Sequence, residues 1–185
     1  MKLFRSIIAG MLSAVMLCGC SGVKDNPSSQ DVVVPEFSDK YLVGTTFGGS
    51  GWGEFYDCLS AKVTVCTNKE IIVELPQTEN HSVTGYEQAA TLTLTDEQYN
   101  VIEKALDREK LYTLDPELDR EACDGTSYVL TLYGTDDQPL KGCGGYMPQN
   151  KEFMYMYRTV QDNLPVEELS RMRLDWIEQL RKKAE

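Results

Sequence analysis

Histidine and positive charge are scarce in this chain, and each shortage excludes chemistry. His81 is the only histidine among 185 residues. A Ser-His-Asp or Cys-His triad would have to use it. It sits in Glu79-Asn80-His81-Ser82, a polar loop with no nucleophile elbow nearby, so a solvated histidine is expected. Zinc needs about four Cys or His ligands at close spacing. No CxxC exists, so no zinc site is expected. Lys and Arg number 18 against 29 Asp and Glu, a net charge of −11. Nucleic-acid binding needs a basic footprint, so that class is excluded. Attraction to anionic lipid headgroups is disfavoured for the same reason. Beyond the N-terminus no run approaches the roughly 18 apolar residues of a membrane span. Internal repeats and low-complexity runs are also missing.

What is present begins at the N-terminus. Lys2 and Arg5 precede a mostly apolar run over residues 6–17, too short to span a bilayer comfortably. Leu17-Cys18-Gly19-Cys20 follows, then Ser21-Gly22. Leu at −3, a small residue at −1 and Cys at +1 resemble the lipobox of bacterial lipoprotein precursors. Cys18 fits worse as the modified residue, since Leu17 would then stand at −1. The resemblance implies that residues 1–19 are removed as a signal peptide and that Cys20 carries a diacylglyceryl thioether, with further acylation such as palmitate. It places the protein on the extracytoplasmic face of the cell membrane, anchored by its lipid. Each buried methylene contributes about 0.8 kcal/mol, and two or more chains make anchoring stable. Removal of Lys2 and Arg5 makes the remainder more acidic still.

Residues 20–37 are polar, with Pro27, Ser28, Ser29 and Pro35, and read as a flexible tether. Residues 38–185 suit a single domain. Strand patterns are expected over residues 41–47, 54–66, 71–75 and 91–94, with residues 76–88 as a polar loop. Thr95 with Gln98 three residues later forms a capping box and opens a helix expected to end near Leu111. A second hairpin is expected from residues 128–133 and 139–143, ended by Gly144-Gly145-Tyr146-Met147-Pro148. Apolar stripes predict helices over residues 151–163 (Phe153, Met156, Tyr157, Val160) and 166–183 (Leu169, Met172, Trp176, Ile177, Leu180). This order predicts an α+β fold: an antiparallel sheet with helices packed on one face.

Cys123-Asp124-Gly125-Thr126-Ser127-Tyr128, Leu132-Tyr133-Gly134 and Cys143-Gly144-Gly145-Tyr146-Met147-Pro148 are similar to segments of small bacterial lipoproteins to which no activity is assigned. That resemblance implies no activity here.

Besides Cys18 and Cys20 the chain has Cys58, Cys66, Cys123 and Cys143, and three pairings are open. An extracytoplasmic setting permits disulfides. Cys58 and Cys66 would flank a straight strand, too far apart to bond. Cys123 and Cys143 flank a predicted hairpin and form the favoured pair. The alternative is that all four are packed thiols. Val65-Cys66-Thr67 is a faint match to the strand-end cysteine of sortase-like transpeptidases, whose Thr-Leu-x-Thr-Cys pattern is absent. Asp115, Glu117, Asp119, Glu121 and Asp124 crowd one loop, but Arg120 stands where an EF-hand needs Gly, so a solvated acidic loop is expected.

Residues 48–53, Gly-Gly-Ser-Gly-Trp-Gly, lack the Lys-Ser/Thr of a phosphate-binding loop. Their interest lies in Trp52, with Tyr56 close behind and Tyr146 after a second glycine pair. Aromatics on loops can stack on a sugar or grip a peptide. Trp52, Tyr56 and Tyr146 are therefore the candidate binding residues. No catalytic residue, cofactor or metal is expected. The expected function is a non-catalytic binding or interaction module, with the membrane reached through the lipid and a cell-wall polymer or envelope protein as partner. The alternative is a cysteine-dependent envelope enzyme or thiol-redox protein.

Overall fold

The computed structural model describes residues 33–49, 54–115 and 125–184. The chain divides into two units, Met1–Val32 and Val33–Glu185, and the first lies outside the described residues, as do the signal segment and Cys20. The second unit is an α+β domain with a six-stranded antiparallel sheet in the order β4-β3-β2-β1-β5-β6. The strands are β1 (Tyr41–Phe47), β2 (Ala61–Cys66), β3 (Glu70–Glu79), β4 (Ser82–Thr93), β5 (Ser127–Tyr133) and β6 (Pro139–Tyr146). The helices are α1 (Asp96–Ala105), α2 (Arg108–Thr113), α3 (Lys151–Asp162) and α4 (Val166–Ala184).

Alternation along the strands decides which face is covered. Val43 pairs with Val65, Val65 with Ile71, Val63 with Val73, and Leu130 with Cys143. These side chains share one face, because side chains alternate with period two along a strand. They join Ile102, Leu111, Phe153, Met156, Val160 and Leu169 from all four helices in one core. The opposite face carries Lys62, Thr64, Ile72 and Glu74. There Tyr133 lies across β1 at Gly44, its hydroxyl 3.0 Å from Thr64 Oγ1, and helps to bury Thr64.

The caps follow the sequence. Thr95 Oγ1 accepts the Gln98 backbone N–H while the Gln98 side chain accepts the Thr95 N–H, the reciprocal box expected. Asn150 Oδ1 accepts the N–H groups of Glu152 and Phe153 and starts α3. The helix expected to reach Leu111 is instead two. Asp107 interrupts it and caps α2 by accepting the Lys110 N–H. Lys141 on edge strand β6 donates to the carbonyls of Tyr112 and Leu114, satisfying the free end of α2.

Three segments depart from expectation. Residues 54–66 are not one strand: Phe55–Cys58 form a single 3-10 turn and β2 begins at Ala61. Cys58 is therefore on that turn, not at the head of a strand bearing Cys66. Residues 76–88 are not a loop but the outer half of a long β3–β4 hairpin, with Pro76 opposite Tyr86 and Gln77 opposite Gly85. Gly144-Gly145-Tyr146 does not end β6; Tyr146 still pairs with Ser127.

Chain entry is also fixed. Phe37 bridges to Gly134, and the buried Ser38 donates its hydroxyl to Asp137 at 2.6 Å while accepting the N–H groups of Lys40 and Tyr41.

Candidate functional site

The tip of the β3–β4 hairpin is the two-residue turn Asn80-His81, both residues at positive φ (49° and 59°). That is the backbone of the turn matching the right-handed strand twist, for which Asn-Gly is the favoured pair. Asn tolerates the left-handed region; His81 adopts it at a cost. His81 is exposed, as expected of a loop histidine, yet it is not isolated. Its ring lies 6.2 Å edge-on from Phe55 and 6.0 Å from Tyr56, with Nδ1 3.5 Å from the Tyr56 hydroxyl.

The 3-10 turn that carries Tyr56 is held by α4. Arg173 Nε donates to the Leu59 carbonyl at 2.6 Å and its Nη2 donates to the Asp57 carbonyl. Arg181 pairs with the Asp57 carboxylate at 2.6 Å and with Glu54 at 3.4 Å. Trp176, between these two arginines in sequence, donates its indole N–H to the Pro76 carbonyl at 2.9 Å. Pro76 and Trp176 thus tie the hairpin to α4 at a fixed ring orientation.

These elements line an open cleft of about 680 Å³. Tyr56, His81 and Trp176 supply aromatic walls, and Gln77, Asn80 and Glu87 supply amide and carboxylate groups. The Glu87 carboxylate accepts from Gln77 Nε2 at 2.7 Å, and Lys183 Nζ lies 5.5 Å above the Trp176 ring. The volume falls in the range of about 300–1,000 Å³ usual for small-ligand sites.

Tyr146, the second candidate, lines a different cleft of about 480 Å³. It forms where β1 and β5 splay. Only Gly44–Thr131 and Thr45–Leu130 pair across this junction. Beyond them the carbonyls of Val129 and Thr46 turn to side chains: Thr45 Oγ1 donates to Val129, and Gln161 Nε2 donates to Thr46. Gly48 and Gly49 form one rim. Gly49 has φ +78°, and a Cβ there would lie 2.6 Å from the Cys58 carbonyl, so this glycine permits a turn closely packed on Cys58–Ser60. The structure therefore separates Tyr56 from Tyr146. Trp52 lies outside the described residues. Trp176 is half-buried and packs against the core, as its place in the α4 stripe predicts. Its second role, lining the cleft with its indole N–H held by Pro76, is a tertiary fact that no local pattern carries.

Among the described residues no cluster of His, Cys, Asp and Glu could hold a metal ion. Asp115 is the one member of the acidic loop named above that is described. No described helix is long and apolar enough to cross a membrane. Cys143 is fully buried in the core and Cys66 is buried at the end of β2; Cys123 lies outside the described residues.

Burial pushes the Cys66 and Cys143 thiols above their ordinary value of 9.0, and burial likewise raises Tyr133 and Tyr157 above 10.0. A reactive thiolate needs the opposite shift. In the folded chain these groups keep protons that the unfolded chain releases, so stability is fully present below pH 9 and falls as pH rises through their raised values. Urea midpoints measured from pH 7 to pH 11 are expected to hold level to about pH 9 and then decline. A midpoint that rises above pH 9 would contradict the burial of these groups.

No family model, curated protein or solved structure matches this chain.

Proposed function

We propose that this protein is a lipid-anchored, extracytoplasmic binding module of a bacterial cell envelope, attached through an acylated Cys20 and engaging a cell-wall polymer or envelope protein. The observation that carries the binding role is the convergence of Tyr56, His81 and Trp176 on one polar cleft, with the Trp176 ring orientation set by its bond to Pro76. Aromatic rings set among amide, hydroxyl and carboxylate side chains suit recognition of a polar ligand. The anchoring role rests on the Leu17-Cys18-Gly19-Cys20 pattern with its basic and apolar lead. A thiol-dependent activity through Cys66 or Cys143 is the weaker reading, because both are buried with their thiols held in the protonated form; such an activity would fall to Cys58, which is exposed.

The test is retention. Full-length protein in detergent, beside its Tyr56→Ala variant, is incubated with purified cell-wall material and with envelope extract. Binding is expected for the parent and weaker by tenfold or more for the variant. Equal retention of the two forms on every material removes the cleft from the function.

A further inference from the structure

We infer that the cleft between the β3–β4 hairpin tip and the C-terminal turns of α4 is a glycan site that takes a neutral sugar chain, stacked on Tyr56 and Trp176. This inference rests on the binding-module reading and names its ligand class.

The charges around the cleft are mixed, so a ligand of either sign meets a like charge as well as an opposite one. Glu79 and Glu87 stand on the hairpin wall, so an anionic ligand meets two carboxylates. Lys183 already covers the Trp176 ring at 5.5 Å, so a ligand cation approaching that face meets a like charge. A neutral polyhydroxylated ligand meets neither obstacle. Its apolar C–H face suits a Tyr or Trp ring. Its hydroxyl and amide groups suit Gln77, Thr78, Asn80 and Thr84, side chains that both donate and accept. The Lys183 ammonium, on a flexible exposed stem, can leave the ring and donate to a sugar hydroxyl.

The turn residue provides an independent sign. At the second position of this turn glycine would relieve backbone strain, yet an imidazole stands there, against Phe55 and Tyr56 at the cleft edge. In this site His81 closes the aromatic wall beside Tyr56 and offers a ring nitrogen to the ligand. Strain kept at a recognition surface predicts that relaxing it helps the fold and harms the function.

The experiment is calorimetric titration of the full-length protein in detergent with three probes: the neutral β-1,4-linked N-acetylglucosamine tetramer, its cationic de-N-acetylated form, and an anionic uronic-acid tetramer. Saturable binding is expected for the neutral tetramer, with affinity at least tenfold above either charged probe. Tyr56→Ala is expected to weaken it at least tenfold. His81→Gly keeps the turn; it is expected to raise the thermal midpoint by about 2–4 °C while weakening binding severalfold. The inference is overturned by no saturable heat with the neutral tetramer, by preference for a charged one, or by His81→Gly and Tyr56→Ala binding as tightly as the parent. If the protein is still retained on envelope material through Tyr56, those results reject the glycan and leave the binding module standing. If retention is lost as well, both readings fall.

Discussion

Gly144→Ala is expected to destabilise the domain by about 3–5 kcal/mol, a large part of the roughly 5–15 kcal/mol that a domain of this size has in total. Gly144 lies inside β6 opposite Val129, at φ +135°, a conformation that L side chains rarely adopt. The strain alone costs about 1–3 kcal/mol. A Cβ would also collide with the Tyr128 carbonyl oxygen and come within 3.0 Å of the Phe153 ring. The carbonyl belongs to a paired strand and cannot retreat without opening the β5–β6 ladder. Urea denaturation of the variant measures the loss. A change below about 1 kcal/mol would show that β6 rotates freely at this point.

Phe153→Ala is expected to cost about 3–5 kcal/mol through lost burial and an incompletely collapsed cavity. Phe153 is fully buried at the first turn of α3. Its ring stacks on Tyr157 at 6.0 Å, and Tyr157 meets Tyr128 of β5 edge-on at 5.0 Å. This aromatic tier fastens α3 to the sheet. Phe153 and Gly144 share a contact, so the two substitutions should not add. In the double variant the ring no longer opposes the new methyl, while the Tyr128 carbonyl still does. The combined loss is therefore expected to fall short of the sum of the single losses but to exceed either one. Strict additivity in the double-mutant cycle would mean that the ring and the glycine do not touch in solution.

Where the sequence was legible, one physical signal dominated. The stripes of α3 and α4 were readable because Phe153, Met156 and Val160, and Leu169, Ile177 and Leu180, recur at helical spacing and are all buried. The β2–β3 hairpin was readable because Val63 and Val65 face Val73 and Ile71 across a short polar turn. Thr95 and Gln98 announced their helix through a local bond that needs no tertiary context.

The misreadings occur where burial is slight. The outer ends of β3 and β4 carry Gln77, Thr78, Glu79, Ser82 and Thr84, and no residue of β4 is buried, so the burial signal that marks a strand is weak there. Pro76 has no N–H to donate, and such a residue argues against a strand in any pattern-based reading. Gly144 and Gly145 read as a break because glycine marks turns more often than strand interiors. The cleft was half legible. Tyr56 was a candidate from its neighbourhood, whereas His81 read as a solvated loop residue. Their meeting with Trp176 depends on the β3–β4 register and on Arg173, which are tertiary facts.

The two-pair junction between β1 and β5 governs how the sheet is assembled. Strands β1 to β4 are consecutive neighbours, so each pairing closes a short loop and can form as soon as its residues are available. The β1–β5 contact waits for distant chain: the Thr45–Val129 bond links residues 84 positions apart. Loop-closure entropy must be met there by two ladder pairs, the side chains of Thr45 and Gln161, the Tyr133 ring lying across β1, and the Phe37–Gly134 bridge. The sheet is thus a four-stranded meander and a two-stranded hairpin joined by contacts distant in the chain. Amide exchange at that junction is expected to report the coupling between the two halves of the sheet.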